Sequence, residues 1–168
     1  RLPKAKAADA FVVVGCDLLG VMRVHITAVR AMVRSVPPAR VLIGATHTHS
    51  GPDTYGQWGP NLATSGVDKP WLDATLKRIA QLVDETTARL QPARVRYAVA
   101  AGIKDCSVNA RVREFIDTDL SAMHVRDSSG ATIATLINFA CHPEVLNNKS
   151  ITSDFPHWLR SDVEANLG

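Results

Sequence analysis

Leu120-Ser121-Ala122-Met123-His124-Val125-Arg126 and Thr132-Ile133-Ala134-Thr135-Leu136-Ile137-Asn138-Phe139 flank the turn sequence Asp127-Ser128-Ser129-Gly130. Asp and Ser side chains bond their own turn backbone, and glycine accepts the positive φ that a tight reversal needs, so the stretch predicts an antiparallel hairpin. An antiparallel pair argues against a metal-dependent amidohydrolase barrel. That fold needs eight parallel strands and about 250 residues, whereas this chain has 168.

Outward from the hairpin, helical and strand periods alternate. Arg94 to Ala101 alternates in the strand manner through Val95, Tyr97 and Val99. Before it, Leu72, Leu76, Ile79 and Val83 draw one face of a helix that begins near Pro70 and ends before Pro92. Arg40 to Thr46 reads as a strand, and the unbroken Val41-Leu42-Ile43 predicts cover on both faces. Met22, Ile26, Val29, Val33 and Val36 form an earlier helical stripe that Pro37-Pro38 stops, and Phe11 to Val14 reads as a buried strand. After the hairpin, a loop from Cys141 to Ser153 leads to a terminal helix with Asp154 as N-cap and Pro156 in the first turn. The fold class is α/β: mixed sheet layers with flanking helices, including an antiparallel hairpin.

Composition narrows the function classes. With 46% hydrophobic and 21% charged residues the chain is globular, and at this length one domain is expected. The net charge of +3 comes from 19 basic and 16 acidic residues interleaved along the sequence, which points to no nucleic-acid partner. No apolar run approaches the roughly 20 residues of a transmembrane helix. The three cysteines, Cys16, Cys106 and Cys141, are too few and too scattered for a disulfide scaffold or a thiolate metal site. The chain starts at Arg1, Leu2 to Asp9 hold no signal-peptide core, and the last helix runs into Gly168. These features suggest part of a larger protein.

Chemistry concentrates in two loops. Thr46-His47-Thr48-His49-Ser50-Gly51-Pro52 follows the Arg40–Thr46 strand. In an extended backbone, side chains two apart share a face, so His47 and His49 can serve one site, and neutral imidazole is a common metal ligand. A pair of polar loop histidines bonded to backbone fits the same spacing. The second cluster, Asn138-Phe139-Ala140-Cys141-His142-Pro143-Glu144, again places a histidine at a strand end. The two ends converge if their strands are near neighbours in one sheet. Asp154 offers either a helix cap or a carboxylate that orients a ligating histidine. His25 and His157 read as surface or packing residues, and His124 lies in mid-strand. The turn-rich stretch from His47 to Lys69 carries Tyr55, Trp58 and Leu62 as candidates for an apolar groove. The sequence holds no His-Glu-x-x-His, no Gly-x-Ser-x-Gly and no glycine-rich phosphate loop.

Taken together, Thr46-His47-Thr48-His49-Ser50-Gly51-Pro52, Asn138-Phe139-Ala140-Cys141-His142-Pro143, Asn147-Asn148 and Ile151-Thr152-Ser153-Asp154 resemble the neutral/alkaline (non-lysosomal) ceramidase family in its N-terminal catalytic domain. The resemblance covers most of the chain from about Val12 onward. It implies a zinc-dependent amidohydrolase that cleaves the N-acyl amide of ceramide, a lipid amide, to sphingosine and fatty acid. His47 and His142 match the family's two histidine zinc ligands, and His49 matches a catalytic residue beside the metal. Gly51 and Arg111 are the substrate-binding candidates. By this resemblance, residues 1–168 are part of a single catalytic domain truncated at its C-terminal end, with a further Glu and Tyr ligand and the proposed serine beyond Gly168. The isolated chain is then expected to bind zinc weakly and turn over little. The compartment stays open, with a secreted or extracytoplasmic address suggested by the family resemblance alone.

The sequence departs from the pattern in two places. Ala110 stands where ceramide-cleaving members carry arginine, and Glu144 where a small hydroxyl residue is usual. These departures keep two alternatives in play: a hydrolase of another amide or ester, and an inactive domain retaining the fold.

Overall fold

The computed structural model describes residues 6–103, 105–146 and 149–167. Asn147, Asn148 and Gly168, which figured in the sequence reading, lie outside the described residues, as do Arg1 to Ala5. The chain divides into two compact units, one formed by Arg1–Leu90 with Pro143–Pro156 and the other by Gln91–His142 with His157–Gly168.

In the first unit, β1 (Val12–Cys16), α1 (Arg23–Met32) and β2 (Val41–Ala45) make a β-α-β crossover, with β1 and β2 paired in parallel. α2 (Lys69–Thr87) follows the long loop. Asp68 accepts the Trp71 amide at 3.1 Å, and Pro70 lies in the first turn, where its missing N–H costs nothing. The core joins Val29, Val33 and Val36 to Val41 and Ile43 of β2 and to Leu72, Leu76, Ile79 and Val83 of α2. The expected helical stripes are therefore the buried faces, except that Met22 at the start of the first is exposed.

Two expectations need correction here. α1 ends at Met32 rather than running on to the proline pair. Asp84 of α2 accepts the Arg34 and Ser35 amides at 3.0 and 2.9 Å, so the backbone there is held out of the helix, and Pro37 disfavours helical geometry at Val36. Val33 and Val36 nonetheless stay buried. The sheet is also covered on one face only: Val41 and Ile43 are buried, while Leu42 is 51% and Val13 48% exposed. Phe11 lies outside β1 and is exposed. An apolar run thus reported strand propensity and not two-sided burial.

The second unit is an antiparallel sheet in the order β3-β4-β5, from β3 (Arg94–Ala100), β4 (Leu120–Arg126) and β5 (Thr132–Phe139). The hairpin forms as expected. Asp127 Oδ1 accepts the Ser129 and Ala131 amides, and Gly130 takes φ +95°. A register shift falls between Val125 and Arg126, next to the turn. α3 (Phe155–Leu167) begins in the first unit and continues in the second. The observed class is mixed α/β.

Candidate metal centre

The ladder between β1 and β2 continues past the end of β2. Thr46 N donates to Cys16 O at 2.9 Å and His47 N to Leu18 O at 3.1 Å. This holds His47 against the buried Leu18-Leu19 segment. His47 adopts φ +70°, a strained region for a residue with a Cβ. The extended backbone expected there is therefore absent. The His47 and His49 rings still meet edge to face, with centroids 5.0 Å apart.

Each histidine is oriented by a neighbour. His47 Nδ1 lies 2.5 Å from the Leu19 carbonyl oxygen. A carbonyl can only accept, so Nδ1 carries the proton and Nε2 keeps the lone pair that a metal would use. Buried Thr48 donates its hydroxyl to Thr152 O at 2.7 Å, and Thr152 N donates to Ser50 O at 2.9 Å. With both neighbours pinned, His49 projects outward, its amide bonded to Pro143 O at 3.2 Å. Its Nδ1 lies 3.6 Å from Glu144 Oε1.

Asp154 fixes the segment after His142. Its carboxylate is buried and accepts the amides of Val145 at 3.0 Å, Leu146 at 2.9 Å and Phe155 at 2.7 Å. Burial pushes this carboxyl upward, but the three amide bonds outweigh it and hold it below the ordinary range. The expected role changes accordingly. An N-cap serves the second or third amide of a helix, whereas Asp154 takes the first and spends its other oxygen on the loop.

His142 is the residue immediately before buried Pro143. One ring nitrogen from each of His47, His49 and His142 lies within 4.8 Å of the others. The expected route to this meeting does not hold, because β2 and β5 belong to different sheets. Neutral imidazoles suit Zn2+, whose bonds to nitrogen are about 2.0–2.1 Å.

Beside His49 a cleft of about 280 Å³ is lined by Leu19, Gly51, Asp53, Trp58 and Ile151 among others. Trp58 thus lies where the groove was expected, whereas Tyr55 packs over Gly20 and Leu62 is fully exposed. A Cβ on Gly51 would meet nothing nearer than Thr48 Cγ2 at 3.5 Å, so the protein itself does not require glycine there. Asp53 orders the cleft wall by accepting the Tyr55, Gly56 and Trp58 amides. Arg111 is exposed in the second unit, in a turn where Asn109 Oδ1 accepts its amide at 2.9 Å. Leu19 carried no sequence signal, and Thr48, Pro143 and Thr152 stood in the quoted motifs with no role of their own. His25 accepts the Met22 amide at the start of α1, and His157 packs edge to face on Trp158.

No family model matches the chain. Its fold is similar to part of that of a solved class, the neutral ceramidases. The crystal structure of neutral ceramidase from Pseudomonas aeruginosa superposes with a TM-score of 0.75 at 21% identity, covering 94% of this chain and 28% of the other. A structure of ceramidase complexed with C2 gives 0.78, with the same identity and coverage. In sequence, the chain is 25% identical to neutral ceramidase of Pseudomonas aeruginosa in a match that covers 64% of this chain. It spans 18% of that relative's length. The resemblance read from the histidine motifs is thus borne out in sequence and in fold.

Proposed function

We propose that this chain is part of the catalytic domain of a ceramidase-like, zinc-dependent amidohydrolase acting on the N-acyl amide of ceramide. One observation carries the reading: three imidazole nitrogens within 4.8 Å, on the motifs that resemble the ceramidase signature. His47 and His142 would hold the ion. Zinc bound there supplies Lewis acidity for the amide carbonyl and for an attacking water. The Leu19 carbonyl keeps His47 in the ligating tautomer. His49, whose ring meets that of His47 edge to face, would deliver a proton to the leaving amine. The cleft from Leu19 to Trp58 takes apolar substrate, Gly51 leaves its wall free of a side chain, and Arg111 is a further substrate contact.

Two histidine ligands fall short of the three usual in catalytic zinc sites. The 168 residues alone are therefore expected to bind zinc weakly and to hydrolyse ceramide negligibly, with activity residing in a longer protein that supplies further ligands. A second reading, hydrolysis of a different amide or an ester, is favoured by Ala110 and by the Glu144 carboxylate 3.6 Å from His49. The deciding experiment measures zinc content and ceramide hydrolysis of the longer protein, with His47→Ala and His49→Ala variants. Loss of zinc in His47→Ala, and loss of turnover with zinc retained in His49→Ala, are expected. Zinc without ceramide turnover would move the substrate to the second reading. Full zinc in His47→Ala would overturn the site.

A further inference from the structure

The basic residues are scattered in sequence, but the sheet of the second unit gathers four nitrogen-bearing side chains. The β3–β4 register sets Arg94 opposite Arg126 and Arg96 opposite His124. Positions two apart on a strand share a face, so these residues make a two-by-two block at the turn end of the sheet. Like charges directly opposite one another are unfavourable, yet the fold places Arg94 against Arg126. Among the described residues, none of the three arginines has a carboxylate within ion-pair distance. Asp127 is adjacent, but its Oδ1 already accepts the Ser129 hydroxyl at 2.6 Å and the Ser129 and Ala131 amides at 2.8 and 3.0 Å.

The block borders a cavity of about 170 Å³ closed by the turn residues 127–130. Its floor is organised. His124 Nε2 lies 3.1 Å from Thr132 Oγ1, whose hydroxyl donates to Leu167 O at 2.7 Å, so that oxygen is left to accept from the ring. Serine hydroxyls at 128 and 129 lie at the rim. Guanidinium groups with unspent donors around a polar hollow match the planar, multi-point recognition of a tetrahedral oxyanion.

We propose that this pocket binds a phosphate group, held by Arg94, Arg96 and Arg126, either as inorganic phosphate or as a phosphomonoester on a lipid headgroup. It lies wholly within the second unit and shares no residue with the histidine centre.

The test titrates inorganic phosphate into the 168-residue chain, followed by calorimetry and amide NMR. Arg96→Gln and Arg126→Gln are compared with Arg113→Gln as a control for net charge. Saturable binding is expected, with shifts confined to the β3–β4 end, a loss of about tenfold in affinity for each pocket variant and no loss for Arg113→Gln. Arg126→Gln removes a like-charge pair, so its melting temperature should equal or exceed that of the parent, which separates lost binding from misfolding. A parallel arm uses phosphatidylcholine vesicles with and without phosphatidate. Vesicle binding that depends on Arg96 and Arg126, without a response to free phosphate, supports the pocket and assigns its ligand to a lipid headgroup. No response to either probe, or equal weakening by Arg113→Gln, overturns the proposal.

Discussion

Replacing Asp154 by Asn is the most informative change to the scaffold of the histidine centre. The shape is kept, but one carboxylate oxygen becomes an NH2 group that cannot accept. Oδ2 accepts from both Val145 and Leu146, so the better amide orientation turns NH2 towards Phe155 and strands that N–H. One charge-assisted bond is lost and two become neutral. Charge-assisted bonds contribute roughly 1.5–3 kcal/mol and neutral ones roughly 0.5–1.5, so the expected cost is about 4 kcal/mol. For a chain of this size that corresponds to a fall of about 10 °C in Tm. The carboxyl is held below its unfolded value of about 3.9. A depressed carboxyl stabilises above the unfolded pKa, and that stability is lost as pH falls through the folded pKa. The gap between wild type and Asp154→Asn should therefore be full near neutrality and close in acid. Asp84→Asn is the control, since Asp84 also accepts two backbone amides but joins α1 to α2. Thermal melts with zinc titration separate the two: both variants melt early, and only Asp154→Asn weakens zinc binding. A Tm change under about 2 °C, a gap that persists in acid, or equal zinc loss in both variants would refute the reasoning.

Three further outcomes are expected. Gly20→Ala drives a Cβ into the hydroxyl end of Tyr55 and should destabilise by about 1–3 kcal/mol, a loss that Tyr55→Ala in the same chain partly recovers by denaturant titration. Val29→Ala empties a fully buried site and should cost about 2–3 kcal/mol, whereas Leu42→Ala on the bare face of β2 should cost under about 1, both read from urea midpoints. Burial, aided by neighbouring Asp17, raises the Cys16 thiol, so alkylation at pH 8 should label exposed Cys106 well before Cys16.

Much of the architecture was legible because local chemistry dictated it. The bounds of β4 and β5 follow from Asp127-Ser128-Ser129-Gly130, where side chain and backbone demand the same turn. The α2 stripe is legible for the same reason, since a 3.6-residue period has one buried face. α1 was read too long because the residues that end it are held by Asp84, roughly fifty positions away. The histidine motifs marked a candidate site, but the positive φ of His47 depends on its seat against Leu18 and Leu19, which spacing does not encode. The arginine block was hidden for a related reason. Interleaved charges become neighbours only once the register pairs position 94 with 126.

The first unit is built from two separated pieces of chain, and this bears on the order of folding. Residues up to Leu90 emerge first, yet Pro143–Pro156 completes the unit only after the intervening fifty or so residues have been made. Thr48 and Ser50 cannot meet Thr152 before then. Closing a loop of that length carries an entropic penalty, but one that grows only with the logarithm of its length. The β4–β5 hairpin is local and forms early, drawing part of that loop into a compact body. On a ribosome, then, the loop bearing His47 and His49 is made well before Pro143–Pro156 and is locked only after that segment arrives.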